Sequence, residues 1–93
     1  MAIISWKHKG LKAFYETGSV KGIQSDHEAK LRRILTLLDE ASRADELGLP
    51  GYDLHQLLPK KDKIWSVKVN GNWRVTFRFQ RENAELVDYL DYH

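Results

Sequence analysis

The chain contains no cysteine, and only two prolines and one methionine, among its 93 residues. Without cysteine there is no disulfide framework and no thiolate chemistry, which fits a reducing compartment. No apolar run approaches the roughly 20 residues that a membrane-spanning helix needs, and the first residues lack the form of a secretory signal. These absences predict one soluble, cytoplasmic domain over residues 1–93, with a core large enough to fold without covalent or metal staples.

The net charge is small, +2 at pH 7, but it is unevenly distributed. Residues 1–33 carry seven Lys or Arg against three acids, residues 34–54 carry one against five, and residues 55–93 carry seven against five. An acidic middle between basic flanks predicts a local basic face rather than a strongly cationic nucleic-acid binder. Solvated helix faces explain the amino-terminal lysines at least as well.

The last third of the chain predicts a half-buried antiparallel sheet. Residues 64–70 and 72–79 alternate apolar with polar side chains around an Asn-Gly dipeptide, which is a hairpin signal. One parity is apolar and predicts the core face, and the other is basic and hydroxylic and predicts an open face. The core parity holds Trp65, Val67, Val69, Trp73, Val75, Phe77 and Phe79; the open parity holds Ser66, Lys68, Arg74, Thr76 and Arg78.

The turn of this hairpin has to correct its register. With a clean two-residue Asn70-Gly71 loop, Val69 would oppose Asn72, and the core face of one strand would meet the polar face of the other. Keeping Val69 opposite Trp73 needs a three-residue loop over 70–72 or an equivalent bulge. We therefore predict a bulge, with Gly71 or an asparagine at positive φ.

Two helices are predicted ahead of the sheet. The first covers residues 8–17 and stops at Gly18. The second opens on a capping box that joins Ser25 and Glu28. Its apolar stripe is predicted to pack on the core face of the sheet, although a seam between oligomer subunits is an alternative. The stripe consists of Leu31, Ile34, Leu35, Leu38 and Ala41.

Shorter segments complete the predicted order. Residues 2–5 are typical of an edge or sheet-joining strand, Leu49-Pro50-Gly51 turns the chain, and residues 52–57 alternate like a further strand. Residues 58–63 form a basic loop. The order β-α-α-β-β-β-β predicts an α+β fold, in which two helices pack on one face of a mostly antiparallel four- to five-stranded sheet.

The four histidines differ in their surroundings. We expect His8 and His27 to be solvated residues at helix caps or surfaces, whereas His55 and His93 lie at or near the ends of strands. There is no His-x-x-His or cysteine pair, and two histidines with one aspartate make a thin ligand set. Neither a metal nor a cofactor is therefore expected. Taken alone, His55 is more typical of a structural residue than of a catalytic one.

Five residues together could supply the parts of a ribonuclease: His55, Arg74, Asp91, Tyr92 and His93. Cleavage of RNA by its own 2′-hydroxyl needs a base, an acid for the leaving 5′-oxygen and a cation for the phosphate charge. Histidine can fill either proton-transfer role near neutral pH, and arginine offers a planar fork to phosphate. Three of these residues could equally form a frayed chain end, and spacing alone slightly favours that alternative.

The chain resembles the HigB-type toxins of the RelE superfamily. The resemblance lies in residues 6–12, in Leu54-His55 after a Leu-Pro-Gly-Tyr turn, and in residues 65–77 together with 88–93. The Asn-Trp-Arg-hydrophobic-Thr-Phe run and the final Asp-Tyr-His are its specific parts. It implies a compact RelE-like fold and the toxin of a bacterial type II toxin–antitoxin pair, which cleaves mRNA on the translating ribosome. It also implies inhibition by a helix-turn-helix antitoxin of the HigA type, through which operator DNA is contacted only indirectly.

The same resemblance implies that His55, Arg74, Asp91, Tyr92 and His93 are catalytic, and that Asn72 contacts substrate. One loop departs from the family pattern: the matching histidine is commonly followed by Pro-Leu-Lys-Gly, and here by Gln-Leu-Leu-Pro-Lys-Lys. Lys60 and Lys61 are therefore substrate-binding candidates, with a plain solvated loop as the alternative. The departure keeps open a catalytically weak module that serves mainly as an antitoxin partner. A general nucleic-acid-binding protein is a third class.

Overall fold

A computed structural model describes residues 2–92 of the chain. Its four strands form one sheet in the order β1-β2-β3-β4, and each strand is antiparallel to the next. The predicted α+β fold, with two helices and a mostly antiparallel sheet, is confirmed. The elements are α1 (Lys9–Thr17), α2 (Glu28–Glu40), β1 (His55–Gln56), β2 (Trp65–Asn70), β3 (Trp73–Gln80) and β4 (Asn83–Asp91).

The amino-terminal segment joins the sheet beside β4, as predicted, but only through isolated parallel bridges. Ile3 pairs with Ala84 and Trp6 with Val87. The backbone N–H of Ile4 donates to the carbonyl of Ala84 at 2.8 Å. Among the described residues, this is the only segment that pairs in parallel with a strand of the sheet. It covers the outer edge of β4.

The core lies between the two helices and the apolar face of the sheet. The predicted stripe of α2 is buried along its whole length, and α1 adds Leu11 and Phe14. Each fully buried side chain of this size contributes about 1.5–3 kcal/mol relative to an exposed one. Within the sheet, Trp65 pairs with Phe77 and Val67 with Val75, so the predicted core parity is confirmed at these positions.

The β2–β3 hairpin contains the predicted bulge, but one residue earlier than a three-residue loop would place it. The register shifts within β2, so that Asn70 rather than Val69 opposes Trp73. The turn itself consists of Gly71 and Asn72, and Gly71 has a φ of 58°. The expected pairing of Val69 with Trp73 is therefore wrong. The extra residue is absorbed inside the strand, which corrects the parity and allows a tight turn.

The helix ends agree only in part with their predicted caps. Gly18 ends α1 in the left-handed conformation, with a φ of 80°, and His8 caps its start by accepting the Leu11 N–H at Nδ1, 2.9 Å away. The capping box before α2 is wrong. Residues 25–27 already form a 3₁₀ turn, and no side chain caps α2. An N-cap side chain needs an extended backbone, which this turn does not provide.

His27 is buried, so the prediction of a solvated residue is wrong. It is 2% exposed, and its Nδ1 lies 2.6 Å from the Tyr89 hydroxyl oxygen. The imidazole meets the ring of Trp73 edge-on, with 5.7 Å between centroids. The aromatic side chains at this end of the sheet need cover, and the buried hydroxyl needs a hydrogen-bond partner. His27 supplies both.

The strand predicted over residues 52–57 is confirmed only for His55–Gln56. Tyr52 donates its N–H to the carbonyl of Leu49 in a turn, and Asp53 has a φ of 49°. A left-handed residue cannot continue an extended run, so regular pairing starts three residues later than predicted.

No helix in the described part of the chain is long and apolar enough to cross a membrane.

Candidate functional site: a cleft on the open face of the sheet

The candidate site lies on the polar face of the sheet, away from the helices. His55, Ser66, Thr76 and Asp88 are paired in one row across the four strands. Arg74 occupies the next row of the same parity. Residues that pair across antiparallel strands share a face, so the sheet itself brings His55 and Arg74 to the same side.

Arg74 is held by hydrogen bonds on several sides. Its side chain is 13% exposed. Nε donates to Ser66 Oγ at 2.7 Å, and Nη1 donates to Asp53 Oδ2 at 3.2 Å. Nη2 donates to the backbone carbonyl of Asp53. The planar guanidinium is thus fixed between β2 and the segment that leads into β1, which sets the direction of the fork before any ligand binds.

Asp53 links the arginine to the histidine. Its Oδ1 lies 2.9 Å from His55 Nε2, while its other oxygen accepts from Arg74. Hydrogen bonds from Arg74, first, and from His55, second, lower the pKa of Asp53 below its usual value. The Asp53 and His55 side chains are 52% and 62% exposed, so the pair is open to solvent and to ligands. Asp53 is therefore ionised at neutral pH and orients both partners.

These side chains line a cleft of about 410 Å³. Its walls come from the segment around β1, from Ser66 and Arg74 on neighbouring strands, and from Tyr92 beyond the end of β4. Tyr92 is 46% exposed, and its backbone N–H donates to the carbonyl of Asn72 at 2.7 Å. This bond attaches the carboxyl-terminal segment to the β2–β3 turn.

Other basic residues lie near Arg74, although none of them lines the cleft. Lys30 on α2 donates to the carbonyl of Gly51 at 2.7 Å, just before Asp53. Burial lowers the pKa of Lys30, and the positive charges of Lys68, Arg33 and Arg74 lower it further. Cations close enough to repel one another also produce a local positive potential. This potential favours an anionic ligand at the cleft.

The structure brings together some of the predicted site residues. His55, Arg74 and Tyr92 line the same cleft. Asn72 is exposed and adjoins the cleft through its backbone contact with Tyr92. Asp91 pairs with Trp73, which places it on the parity opposite to Arg74. Asp91 is absent from the cleft lining, and its catalytic role stays a prediction.

The two predicted lysines lie elsewhere. Lys60 lines a different cavity, described below, and Lys61 is exposed on the 3₁₀ turn Lys60–Asp62. Neither borders the cleft that holds His55. His93 falls outside the described residues, so its predicted role also stays a prediction.

Sequence reasoning missed two residues of the site, Asp53 and Ser66. Alternation over residues 52–57 puts Asp53 and His55 on the same parity, so a carboxylate two residues from a histidine is the signal that could have found Asp53. Ser66 shares the open parity with Arg74. The hydrogen bond from Arg74 to Asp53 spans 21 residues, and local pattern does not reveal it.

The fold and the cleft define a small α+β protein in which an arginine and a histidine line one open cleft. Residues 4–93 match the family described as the RelE-like toxin of the type II toxin–antitoxin system HigB, and the chain belongs to that family. The endoribonuclease HigB of Proteus vulgaris is 37% identical over 91 residues, which are 98% of this chain and 99% of that protein. The predicted resemblance is confirmed, and membership of a toxin–antitoxin family implies an antitoxin partner.

Proposed function

We propose that this chain is an endoribonuclease that cleaves mRNA on the translating ribosome and is inhibited by its antitoxin. The relative from Proteus vulgaris carries the name endoribonuclease, which supports the activity. The observation that carries the proposal is the cleft in which His55, Arg74 and Tyr92 meet. These residues supply a proton-transfer group, a cation that can bind phosphate and an aromatic ring around one space.

The proposed reaction is attack of a 2′-hydroxyl on the adjacent phosphorus. The 2′-oxygen–phosphorus bond forms, the phosphorus–5′-oxygen bond breaks, and the products are a 2′,3′-cyclic phosphate and a 5′-hydroxyl. Arg74 opposes the negative charge that grows on the phosphoryl oxygens, and removing such a group typically costs about 10²–10³-fold in rate. Asp53 keeps the arginine fork in place during the attack.

His55 is suited to accept the 2′-hydroxyl proton. With Nε2 donating to Asp53, the neutral imidazole has its lone pair on Nδ1, where a general base needs it. The proton that the 5′-oxygen requires on departure comes from the carboxyl-terminal segment, where His93 is the candidate because Asp91 pairs with Trp73 on the opposite parity. Tyr92, which is partly exposed at the mouth of the cleft, stacks on an unstacked base.

The proposed partners follow from the same reaction. The mRNA in the ribosomal A site is the substrate, and Asn72 contacts it from the β2–β3 turn. A helix-turn-helix antitoxin of the HigA type blocks the activity, and operator DNA is reached only through that antitoxin. The basic residues near Arg74 supply sequence-independent attraction to phosphates.

The test uses programmed ribosomes with a defined codon in the A site. Purified protein is added, and the 5′ ends of the mRNA are mapped by primer extension. We expect a discrete cut at the A site, no comparable cut in free mRNA, and loss of the cut with His55→Ala and with His93→Ala. Arg78→Lys serves as the control. Arg78 lies on the same strand and parity as Arg74 but pairs with Glu85, 2.7 Å away.

A second candidate is a catalytically weak module that serves as an antitoxin partner. It is favoured by one observation: the lining of the cleft within residues 2–92 contains no lysine. Correctly folded wild type that leaves ribosome-bound mRNA intact, and does not arrest growth on induction, would support this candidate. Toxicity that persists in His55→Ala and His93→Ala would instead contradict the assignment of the site.

A further inference from the structure

A second cavity, of about 500 Å³, lies at the end of the sheet where β2 begins and β3 ends, beside β1. We call it the edge cavity. It is bordered by the chain that follows α2, by the turn Lys60–Asp62 and by the ends of β2 and β3. Gln56 borders both the edge cavity and the cleft, so the two spaces adjoin across β1.

The edge cavity is strongly cationic. Its lining includes the four basic residues Arg43, Lys60, Lys63 and Arg81, and all four are exposed. The one carboxylate among the lining residues, Asp45, lies 3.1 Å from Arg43 Nε and offsets that charge alone. Three cations from two separate loops thus remain directed at one space, which favours a ligand with more than one negative charge.

Two aromatic side chains complete the lining. Trp65 and Phe79 are half-buried and pack on the core from one side, where Phe79 meets Phe77 edge-on at 5.9 Å between centroids. Their remaining surface faces the edge cavity. Aromatic surface next to cations is the arrangement with which proteins hold single-stranded nucleic acid, because bases stack on the rings and phosphates pair with the cations.

The wall formed by residues 42–45 is held in place by its own hydrogen bonds. Glu46 Oε2 accepts the backbone N–H of Ser42 at 2.9 Å and that of Arg43 at 3.0 Å. It also accepts the Ser42 hydroxyl at 2.9 Å. The carboxylate of Glu46 is thereby engaged with the backbone, and Arg43 is presented from an ordered turn. This wall of the edge cavity is therefore formed before a ligand arrives.

We infer that the edge cavity binds a nucleotide of single-stranded RNA, with its base against Trp65 and Phe79 and its phosphates between Lys60, Lys63 and Arg81. The identity of the RNA rests on the proposed function, since the edge cavity adjoins the proposed cleavage cleft. An acidic peptide would satisfy the cations but would leave the aromatic surface unused. Lys60 thus binds RNA, at a place distinct from the cleft.

The test is an NMR titration of the full-length protein, with the indole N–H signals of its three tryptophans as probes. The ligand is a 2′-O-methyl RNA of about six nucleotides, within the length range that one such groove accommodates. It has no free 2′-hydroxyl and cannot be cleaved. We expect the Trp65 signal to shift in a saturable manner, while the signal of Trp6, which packs on Tyr15 away from both spaces, stays in place.

Variants assign the binding to the edge cavity. Lys60→Ala combined with Arg81→Asn should weaken binding roughly tenfold and lower the salt dependence of log K by about 1.4, the value for two phosphate contacts on a single strand. Asparagine suits position 81, where φ is 58°. The charge-matched control is Lys9→Ala with Lys12→Ala on α1, which should stay within roughly twofold of wild type. Phe79→Leu, which keeps every charge, should weaken binding about fivefold.

Each outcome has a defined meaning. The inference would be overturned if the Lys60/Arg81 and Lys9/Lys12 double variants lost equal RNA affinity. It would also be overturned if RNA left the Trp65 signal in place. Hexaglutamate is the second probe, and a Trp65 shift with this peptide but not with RNA would assign the edge cavity to an acidic protein segment instead. The proposed function is judged separately by the ribosomal cut. If the ribosomal mRNA is cut but RNA does not shift the Trp65 signal, only this inference is wrong. If RNA shifts the Trp65 signal but the mRNA is not cut, only the proposed function is wrong.

Discussion

The two faces of the sheet each hold a histidine, and burial gives the two residues different roles. On the covered face, His27 is 2% exposed and hydrogen-bonded to the Tyr89 hydroxyl. On the open face, the His55 side chain is 62% exposed and hydrogen-bonded to Asp53. The enclosed imidazole can only stabilise the fold. The open imidazole is accessible to solvent while its carboxylate partner orients it, as the proposed proton transfer requires.

The same contrast holds for the polar groups of the two faces. Among the described residues, no buried side-chain nitrogen or oxygen lacks a hydrogen-bond partner. Even on the open face, Ser66 is fully buried beneath Arg74, whose Nε bonds to it. We therefore expect changes on the covered face to alter stability, and changes at the open cleft mainly to alter activity.

The largest expected effect is on the open face. Arg74→Lys keeps the charge but loses the fork that binds Ser66 and Asp53 together. We expect ribosomal cleavage to fall by about 10²-fold, because a lysine ammonium cannot make the planar set of hydrogen bonds that positions the cation beside the phosphate. The rate is measured by single-turnover primer extension. Arg78→Lys, on the same strand and parity, should retain most of the activity.

If Arg78→Lys lost as much activity as Arg74→Lys, the effect would belong to the basic face as a whole rather than to the cleft. Equal activity of Arg74→Lys and wild type would remove Arg74 from the proposed mechanism. Urea unfolding of both variants excludes loss of the fold as the cause.

A change on the covered face should act on stability alone. Leu35 is fully buried on α2, and Leu35→Ala should lower the free energy of unfolding by about 2–5 kcal/mol through lost burial and a residual cavity. Leu58 is 80% exposed and is the matched control, for which Leu58→Ala should change the stability little. Urea unfolding monitored by tryptophan fluorescence gives both values. Equal effects at the two positions would contradict the assignment of the core.

The buried hydrogen bond on the covered face predicts a smaller loss. Tyr89→Phe removes the hydroxyl and leaves the Nδ1 of His27 without its partner, which should cost about 1–3 kcal/mol of stability. Tyr92→Phe is the control, since Tyr92 is 46% exposed and water can replace its contacts. Loss of stability in Tyr92→Phe but not in Tyr89→Phe would reverse the expected order of the two faces.

Alternation along the strands was sufficient to predict which residues share a face. It separated Trp65, Val67 and Val75 from Ser66 and Arg74, and it required a bulge that the structure contains at Val69. Such patterns are local, because the side-chain period of a strand is fixed by its backbone. The apolar stripe of α2 was predictable for the same reason.

The errors arose where distant contacts decide the local structure. Asp53 adopts a positive φ at a position that Arg74 holds from 21 residues away, and this interrupts the strand that alternation predicted. His27 is buried because it meets Tyr89, 62 residues along the chain. Neither partner is visible from the surrounding sequence, so tertiary context overrides the local signal.

The smallest expected effect concerns the link between Asp53 and its two donors. Because hydrogen bonds from Arg74 and His55 lower the pKa of Asp53, its ionised form stabilises the fold. That contribution is complete above the usual aspartate pKa of about 3.9 and is lost as the pH falls through the lower value of the folded state. The difference in urea midpoint between wild type and Asp53→Asn should therefore shrink as the solution is acidified below about pH 4.

Two further variants show which hydrogen-bond donor lowers the pKa of Asp53 more. His55→Ala removes the second cause of the pKa shift and keeps the first, whereas Arg74→Ala removes the first, so Arg74→Ala should lose more of the pH-dependent difference than His55→Ala does. Urea midpoints at a series of pH values, compared with Asp53→Asn in each background, measure this directly. A difference that grows toward low pH would mean that the carboxylate is stabilised in its protonated form, and the orienting role given to Asp53 would then be wrong.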